Sequence, residues 1–223
     1  MSGALPLPPQ LITNARMFYV SWVPADPAAA QALLPAGLTP AEDGAIFLNQ
    51  YCVDTDEQTS HFGAYSLTYM GLDLAGLDLE DGTPGRFWTH YYNSNDVMRA
   101  YAANAGIPAG VGRTVLELSG DTLVATTEAD GVPIIRSEVT AGSEIAESAR
   151  GHLRYIIDKG GALESGLYAY VGDMVAPFEV RSIEFLAEDH PTRPLRPASP
   201  LEITFGFYSP RASFCYPGGV EPL

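Results

Sequence analysis

The sequence VGRTVLELSGDTLVATTEADGVPIIRSEVT, residues 111–140, decides the fold class. It holds three segments rich in β-branched and apolar residues, at 111–118, 122–129 and 132–140. Gly120 and Gly131 separate them, each beside an aspartate, and glycine tolerates the positive φ angles of tight hairpin turns. The stretch therefore predicts two consecutive β-hairpins and an antiparallel sheet.

The same pattern extends in both directions along the chain. Short segments rich in aromatic and β-branched residues, bounded by Gly, Pro, Asp or Asn, predict further strands. They lie at 17–23, 45–53, 63–72, 86–92, 152–157, 167–171, 175–186 and 201–208. Many strands at this spacing predict a mainly β (α+β) protein, in which a curved antiparallel sheet is closed or nearly closed as a barrel.

Two short helices complete the prediction. Asp26 is a candidate N-cap with Pro27 in the first turn, and this helix is expected to run to Leu34. Ser94 is the candidate N-cap of a second helix, which is expected to end before the glycine and proline at 106–108.

Length and charge limit the possible functions. The 223 residues fit one domain, 1–223, in which the proline-rich segment 187–200 is expected to be a surface loop. Twelve basic against 27 acidic residues give a net charge of −15, which argues against nucleic acid and against anionic membrane surfaces as partners.

The compartment is predicted from what the chain lacks. It has neither a run of about 18 apolar residues nor a signal-peptide pattern, and the early prolines predict an extended N-terminal arm. Two cysteines, Cys52 and Cys215, are too few for a disulfide scaffold. A cytoplasmic location is therefore expected.

Four short motifs, in their order and spacing, suggest a family. These are RMFY at 16–19, LLP at 33–35, GAY at 63–65 and GDTLVAT at 120–126. Together they make residues 14–142 resemble the acetoacetate decarboxylase-like superfamily. The resemblance implies a double-layered β-sheet that forms a cone-like barrel with an internal pocket, and a homo-oligomer.

The departures from the family pattern concern its chemistry. Decarboxylases of this family form an imine on a lysine that follows a proline, and an adjacent second lysine lowers the pKa of the first. Pro108 matches that proline, but Ala109 and Gly110 stand at the two lysine positions. The family's catalytic glutamate falls near Leu67, whereas the arginine that holds the substrate carboxylate is matched by Arg16. The chain therefore resembles a divergent member without the catalytic lysine pair.

One lysine could still supply an amine. Lys159 is the only lysine of the chain and lies in the turn sequence Asp158-Lys159-Gly160-Gly161. The neighbouring carboxylate would raise the pKa of the amine, which is the wrong direction for a nucleophile. A solvated turn lysine is the simpler interpretation, and imine formation on Lys159 is kept as an alternative.

Three residues are the catalytic candidates. Arg16 could hold a carboxylate with its forked guanidinium. His90, on a strand otherwise filled with aromatic residues, could transfer a proton near neutral pH. Tyr65 could donate a hydrogen bond to a developing oxyanion. The alternative for each is structural: a surface ion pair, a hydrogen-bonded histidine and ordinary aromatic packing.

A second group is expected to line the substrate pocket. Strict alternation along 86–92 places Trp88, His90 and Tyr92 on one face. One amide of the pair Asn49 and Gln50 must point inward. The predicted substrate-binding residues are Gln50, Leu67, Tyr69, Trp88, Tyr92 and Ala109.

Metal and cofactor chemistry receives little support from the sequence. The four histidines show no metal-ligand spacing, and there is no GxSxG, GxGxxG or P-loop motif. We therefore expect neither a metal nor a cofactor.

These observations predict a lyase-type enzyme that acts without an imine on an oxo acid or a conjugated carbonyl compound. Decarboxylation, hydration or dehydration, aldol cleavage and cyclisation all fit, in secondary metabolism or in the breakdown of an unusual ketone. The alternative is a protein that binds a small hydrophobic ligand without turning it over. Polar groups that converge inside the barrel favour the enzyme, and positions of Arg16 and His90 outside the cavity favour the binding protein.

Overall fold

The structure is a computed structural model and describes residues 7–223, so most of the predicted N-terminal arm lies outside the described residues. The described part is mostly β-strand. The strands are β1 Gln10–Trp22, β2 Ile46–Val53, β3 Tyr65–Asp73, β4 Gly85–Asn93, β5 Ala109–Ser119, β6 Thr122–Ala129, β7 Val132–Lys159, β8 Ala162–Phe185, β9 Ile203–Tyr216 and β10 Glu221–Pro222. The helices are α1 Pro27–Gln31 and α2 Asp96–Asn104.

The two helices begin close to their predicted caps. The Asp26 carboxylate accepts a hydrogen bond from the Ala29 backbone N–H at 3.0 Å, and α1 ends at Gln31, three residues before the predicted Leu34. The N-cap of α2 is Asn95, whose side chain accepts from the Met98 N–H at 3.0 Å. Ser94 is not the cap, because its hydroxyl accepts from the Ser66 backbone N–H instead.

Seven strands close into a barrel. The order around it is β1, β2, β3, β4, β7, β8 and β9, and β9 pairs again with β1. All these pairs are antiparallel except β4 with β7, which are parallel where Gly85–Phe87 lie beside Arg154–Ile156. The closed barrel confirms the predicted fold class.

A second layer covers one side of this barrel. It consists of β5, β6, the first part of β7 and the last part of β8, in the antiparallel register that the two hairpins predict. Its apolar side packs against the outward-facing residues of β1, β2 and β3, among them Phe18, Leu48 and Met70. The protein is therefore double-layered, with one core inside the barrel and one between the layers.

Two long strands connect the layers. The segments predicted at 132–140 and 152–157 are parts of β7, and those predicted at 167–171 and 175–186 are parts of β8. Residues 143–148 between the two β7 segments are mostly exposed, so they lack the apolar alternation by which a strand is recognised. The proline-rich segment 187–200 is the predicted loop, with a short 3₁₀ turn at Arg193–Leu195.

Every strand of the barrel sends side chains into its interior. On β2 the inward residues are Phe47, Asn49 and Tyr51, which alternate with outward-facing Leu48 and Gln50. Eight tyrosines contribute to this interior core. They are Tyr19, Tyr51, Tyr65, Tyr69, Tyr91, Tyr155, Tyr168 and Tyr216.

Candidate functional site

A β-bulge in β4 determines which of its side chains enter the barrel. Met70 pairs with His90 while the next residue, Gly71, pairs with Trp88, so Thr89 is the extra residue. Its hydroxyl donates to the Met70 carbonyl at 3.1 Å. Because an extra residue reverses the alternation beyond it, Trp88 and Tyr91 both face the interior.

The predicted grouping of Trp88, His90 and Tyr92 on one face is therefore wrong. Trp88 belongs to the interior core, whereas Tyr92 packs against the core between the layers. The His90 ring stacks on the Tyr92 ring at 6.2 Å between centroids, on the outer side of the barrel. A bulge of one residue has no obvious signal in a strand where both faces carry aromatic residues.

Four aromatic side chains form a waist across the barrel interior. The Tyr69 and Trp88 rings stack at 4.4 Å, and the Trp88 and Tyr155 rings stack at 4.7 Å. The Tyr155 and Tyr168 rings lie 6.3 Å apart, and the Tyr168 and Tyr69 hydroxyls are hydrogen-bonded at 2.9 Å. The waist draws on β3, β4, β7 and β8 and separates two cavities.

The larger cavity lies at the α2 end of the barrel and has a volume of about 300 Å³. Aromatic and apolar groups make up most of its lining, including Trp88, Tyr91, Tyr155 and Tyr216, with Met98 and other residues of α2 on one side. Its described lining residues include no acidic, basic or histidine side chain. This cavity suits an apolar ligand.

The smaller cavity, of about 70 Å³, lies at the opposite end. Arg86, Asn49 and three tyrosines line it together with apolar and phenylalanine side chains. Tyr168 lines this cavity while Tyr155, its neighbour in the waist, lines the larger one. The small cavity is where charged and polar groups converge within the barrel.

A chain of hydrogen bonds ends at the small cavity. Asn49 Nδ2 donates to the Tyr69 hydroxyl oxygen at 2.6 Å. The Tyr69 hydroxyl also shares a hydrogen bond of 2.9 Å with the Tyr168 hydroxyl, in which either oxygen can be the donor. Within residues 7–223 the Tyr168 hydroxyl has no second partner. When Tyr69 is the donor of the bond they share, the Tyr168 proton is available to a ligand in the cavity.

Burial keeps these phenols protonated. It raises the pKa of Tyr69 and holds the pKa of Tyr168 well above the ordinary value near 10, and Tyr168 is raised further by its tyrosine neighbours. Both side chains are consequently neutral hydrogen-bond donors at physiological pH. They can stabilise a developing oxyanion but cannot serve there as general bases.

Arg86 places a permanent positive charge at the small cavity. Its Nε donates to Asp73 Oδ1 at 2.9 Å, and its side chain is 15% exposed. The guanidinium carbon lies 5.6 Å from the centre of the Tyr19 ring and 5.7 Å from that of Phe47, within the range of cation–π attraction. Burial raises the pKa of Asp73, and Arg86 opposes that shift.

Five of the nine predicted site residues belong to the interior. Tyr69 and Trp88 form half of the waist, and the Tyr65 hydroxyl hydrogen-bonds Tyr51 at 3.0 Å. Leu67 is fully buried in the same core, and Ala109 packs against it beside Tyr91. Ala109, the position predicted to match the family's amine, thus lies at the α2 end, away from Arg86.

Arg16 lies outside the barrel interior. Its Nε and Nη2 bind the two oxygens of Asp54 at 2.8 and 2.6 Å, and Nη1 donates to the Leu116 carbonyl at 2.5 Å. This ion pair is partly exposed, at 32% for Arg16 and 45% for Asp54. Each of the three guanidinium nitrogens of Arg16 donates to a protein oxygen, and Arg16 does not come together with Tyr65.

Gln50 also faces away from the interior. Its Nε2 donates to Thr127 Oγ1 at 2.8 Å, within a buried threonine cluster that includes Thr68 and Thr114 between the layers. The neighbouring amide, Asn49, is the one that points inward. The sequence limits the inward-facing amide to Asn49 or Gln50, and the strand register selects Asn49.

His90 lies in a shallow groove on the outer side with Leu33, Pro108 and Asp158. Burial and the nearby His190 lower the pKa of His90 to about 4, so the imidazole is neutral at pH 7. Its Nδ1 is 2.9 Å from the Thr89 hydroxyl. The structure thus separates His90 from Arg16 and from both cavities.

The lowered pKa of His90 makes a prediction about stability. Protonation favours the unfolded chain, in which the pKa is near 6.5, so stability from the neutral ring is full above that pH and falls towards pH 4. Between pH 7 and pH 4.5, we expect the free energy of unfolding of His90→Gln to fall by about 1–3 kcal/mol less than that of the wild type. Urea unfolding at the two pH values measures this difference. His61→Gln, which alters an exposed histidine, is the control, and equal losses in all three proteins would contradict the prediction.

Lys159 does not line either cavity. It ends β7 beside the turn, with its side chain 49% exposed and its Nζ 3.7 Å from Glu164 Oε2. Its aliphatic portion packs on Gly106, where an added Cβ would lie 3.2 Å from Lys159 Cγ. The amine therefore points towards solvent and a carboxylate.

The sequence-based interpretation missed most of the small cavity. Arg86 begins a strand full of aromatic residues, two positions before Trp88, and that spacing could have placed it on the inward face. Tyr168 lies in the predicted strand 167–171, between Leu167 and Ala169, and no local signal marks it as a site residue.

Two absences apply to the described part of the chain. Residues 7–223 contain no group of three or more His, Cys, Asp or Glu side chains arranged to hold a metal ion. None of the helices formed by these residues is long and apolar enough to cross a membrane.

The sequence matches the model of a known protein family. The family model described as acetoacetate decarboxylase matches residues 1–183. A search of curated proteins found no significant match.

Several solved structures are similar to this chain. Acetoacetate decarboxylase from Legionella pneumophila is 15% identical, with 98% of this chain and 88% of that chain covered and a TM-score of 0.66. The enduracididine biosynthesis enzyme MppR complexed with pyruvate is 14% identical, with coverages of 99% and 92% and a TM-score of 0.67. An acetoacetate decarboxylase-like enzyme from Sphingomonas wittichii RW1 is 18% identical, with coverages of 100% and 96% and a TM-score of 0.63. At these identities the likeness shows the fold.

Proposed function

The chain belongs to the acetoacetate decarboxylase family, and from this premise we propose that it is a lyase-type enzyme that acts without an imine. Its substrate is an oxo acid or a conjugated carbonyl compound, bound inside the barrel. The reaction proceeds through an enolate that a neutral phenol stabilises. The observation that carries the proposal is the hydrogen-bond chain from Asn49 through Tyr69 to Tyr168 at the small cavity.

The chain of donors supplies what an enolate needs. In the proposed arrangement Tyr69 donates to Tyr168, which keeps its own proton for a ligand, and each bond in such a chain polarises the next. The surrounding side chains are mainly aromatic, and in a site of low dielectric a preorganised donor stabilises charge more than water does. A substrate carbonyl oxygen placed beside Tyr168 would accept a hydrogen bond from its hydroxyl. This bond strengthens as negative charge develops on the carbonyl oxygen.

Decarboxylation of a β-oxo acid illustrates the step. The bond between the α-carbon and the carboxylate breaks, carbon dioxide leaves, and the electron pair moves through the α-carbon to the carbonyl oxygen. Tyr168 stabilises the resulting enolate by its hydrogen bond, and a proton from solvent then reaches the α-carbon. No amine and no general base are required for the bond cleavage.

The position of Lys159 supports imine-free chemistry. It is the only lysine of the chain, its side chain is half exposed beside Glu164, and neither cavity includes it in its lining. The family's lysine positions carry Ala109 and Gly110, and a Cβ on Gly110 would lie 3.1 Å from the Tyr92 ring. A longer side chain at 110 would therefore need Tyr92 to move.

The test is turnover of three oxo acids, acetoacetate, acetopyruvate and pyruvate, followed by proton NMR in deuterated buffer. We expect the wild type to consume or deuterate at least one of them faster than buffer alone. Lys159→Ala should react at the wild-type rate, within about twofold, because the amine lies outside the cavities. Loss of the reaction in Lys159→Ala, or no reaction with any of the three acids, would contradict the proposal.

A second candidate function is the binding of a small hydrophobic ligand without turnover. The larger cavity favours it, because about 300 Å³ of mainly aromatic and apolar lining lacks charged and histidine side chains among the described residues. The positions of Arg16 and His90 outside both cavities favour it as well. Tight binding of an apolar ketone without reaction, competing with no oxo acid, would support this alternative.

The remaining expectations are carried forward as proposals. We propose a single domain, which the passage of β7 and β8 through both layers supports, a homo-oligomer, and a cytoplasmic location in secondary metabolism. Light scattering at micromolar protein concentration tests the oligomer.

A further inference from the structure

We propose that Arg86 is the carboxylate anchor of this protein and that it makes the small cavity selective for short monocarboxylates. The inference rests on the proposed function and deepens it by naming the class of substrate that the same site binds. The contacts of Arg86 from which it is argued do not depend on the proposed reaction. It moves the anchor from Arg16, on the outside of the barrel, to the end opposite the family's amine position at Ala109.

The first argument is the set of donors that Arg86 leaves free. Its Nε is bound to Asp73 Oδ1, but its two terminal nitrogens make no hydrogen bond with any of the described residues. Those two nitrogens carry four of the five N–H groups of the guanidinium, in the planar fork that matches a carboxylate. A partly buried arginine that lines a cavity with both terminal nitrogens unpaired can bind an anionic ligand.

The second argument is the environment of that charge. The small cavity is walled by aromatic and apolar side chains, and its described lining residues include no acidic side chain. The guanidinium is flanked by the faces of Tyr19 and Phe47, which hold its plane in position. Charge attraction is stronger in such a medium than in water, and the fixed geometry reduces the entropy lost on binding.

The third argument is size. A cavity needs about 10–15 Å³ for each water, so 70 Å³ accommodates about five to seven water molecules. A carboxylic acid with about five to seven non-hydrogen atoms fills such a space. Tyr168 lines the same cavity, and we propose that its hydroxyl is a second donor to an oxygen further along a short acid.

Asp73 sets the strength of the anchor. It neutralises part of the Arg86 charge through Nε, and a ligand carboxylate on the terminal nitrogens would share the guanidinium with it. Replacing Asp73 with asparagine keeps an acceptor for Nε while removing the competing negative charge. Arg16 with Asp54 provides a matched control, because it is a second arginine–aspartate pair of the same chain.

The experiment is isothermal titration of the unliganded protein with butyrate and with its neutral isostere butyramide. We expect butyrate to bind and butyramide to bind at least tenfold more weakly. Arg86→Gln should weaken butyrate binding at least tenfold, Asp73→Asn should strengthen it several-fold, and Arg16→Gln should leave it unchanged. Phenylacetate, which exceeds the cavity, should bind at least tenfold more weakly than butyrate.

The inference would be overturned by no butyrate binding to the wild type, by equal binding of butyramide, or by a loss caused by Arg16→Gln instead of Arg86→Gln. The Asp73→Asn variant keeps the test decisive if Arg86→Gln does not fold, because an unchanged or weaker affinity in Asp73→Asn contradicts the anchor. Failure of the proposed reaction is distinguishable, since butyrate would then bind as expected while no oxo acid is turned over.

Discussion

Tyr168→Phe is expected to lower kcat for the oxo acid of the proposed reaction by about 10²- to 10³-fold, the usual cost of removing one preorganised oxyanion donor. The substitution removes only the hydroxyl that ends the hydrogen-bond chain at the small cavity. KM should change much less than kcat, because the bond strengthens as charge develops on the substrate oxygen. Steady-state kinetics by proton NMR or by carbon dioxide release measures both constants.

The matched control is Tyr216→Phe. Tyr216 is equally buried and its hydroxyl also bonds a tyrosine, Tyr51 at 3.3 Å, but it lines the larger cavity. We expect this variant to keep kcat within about threefold and to lose similar stability. An equal fall in kcat for the two variants would mean that general packing, and not donation by Tyr168, accounts for the effect.

Gly71→Ala is expected to destabilise the fold by more than about 4 kcal/mol, because overpacking against a fixed backbone is among the most destabilising effects of a single substitution. A Cβ at Gly71 would lie 1.8 Å from the Phe87 carbonyl oxygen and 3.1 Å from the Phe47 ring. Gly71 pairs with Trp88 at the bulge, so the collision can be relieved only by moving β4 away from β3. Thermal unfolding should show a fall in Tm of about 10 °C or more for a protein of this size.

Gly82→Ala separates this steric effect from backbone strain. Gly82 has φ +83° and no atom within 4 Å of an added Cβ, so alanine there costs only the left-handed conformation, about 1–2 kcal/mol. A Gly71→Ala protein that unfolds within 2–3 °C of the wild type would contradict the close packing of β3 on β4. It would also weaken the argument that the bulge fixes Trp88 and Tyr91 in the interior.

Local chemistry was sufficient to predict most strands and both helices. The turns at Gly120 and Gly131 identified β6 with its observed bounds, and the capping aspartate identified the start of α1. The long strands β7 and β8 were predicted only in pieces, because their middle parts are exposed and carry no apolar alternation. A strand that is held by hydrogen bonds to its partner strand, and not by burial of one face, shows no apolar alternation in its sequence.

The site was predictable only in part, for reasons of register. Alternation correctly associated Tyr65, Leu67 and Tyr69, which all face the interior of a regular strand. It failed on β4, where one extra residue at Thr89 sends His90 outward and brings Tyr91 inward.

The choice between Asn49 and Gln50 shows the same limit. It depends on which strand face the barrel encloses, and closure depends on the parallel contact of β4 with β7, which joins segments about 70 residues apart. No local pattern specifies a pairing of that kind. The role assigned to Arg86 likewise became visible only when Asp73, Tyr19 and Tyr168 were brought around it.

The most direct test of imine-free chemistry is an intact-mass spectrum of the wild type treated with borohydride while it consumes its oxo acid. Reduction of an imine would fix the substrate covalently on Lys159 or on the amino terminus. We predict an unchanged protein mass at every time point while the substrate disappears. A mass increase equal to the reduced adduct, absent from Lys159→Ala, would contradict imine-free chemistry. It would show that the protein forms an imine on Lys159.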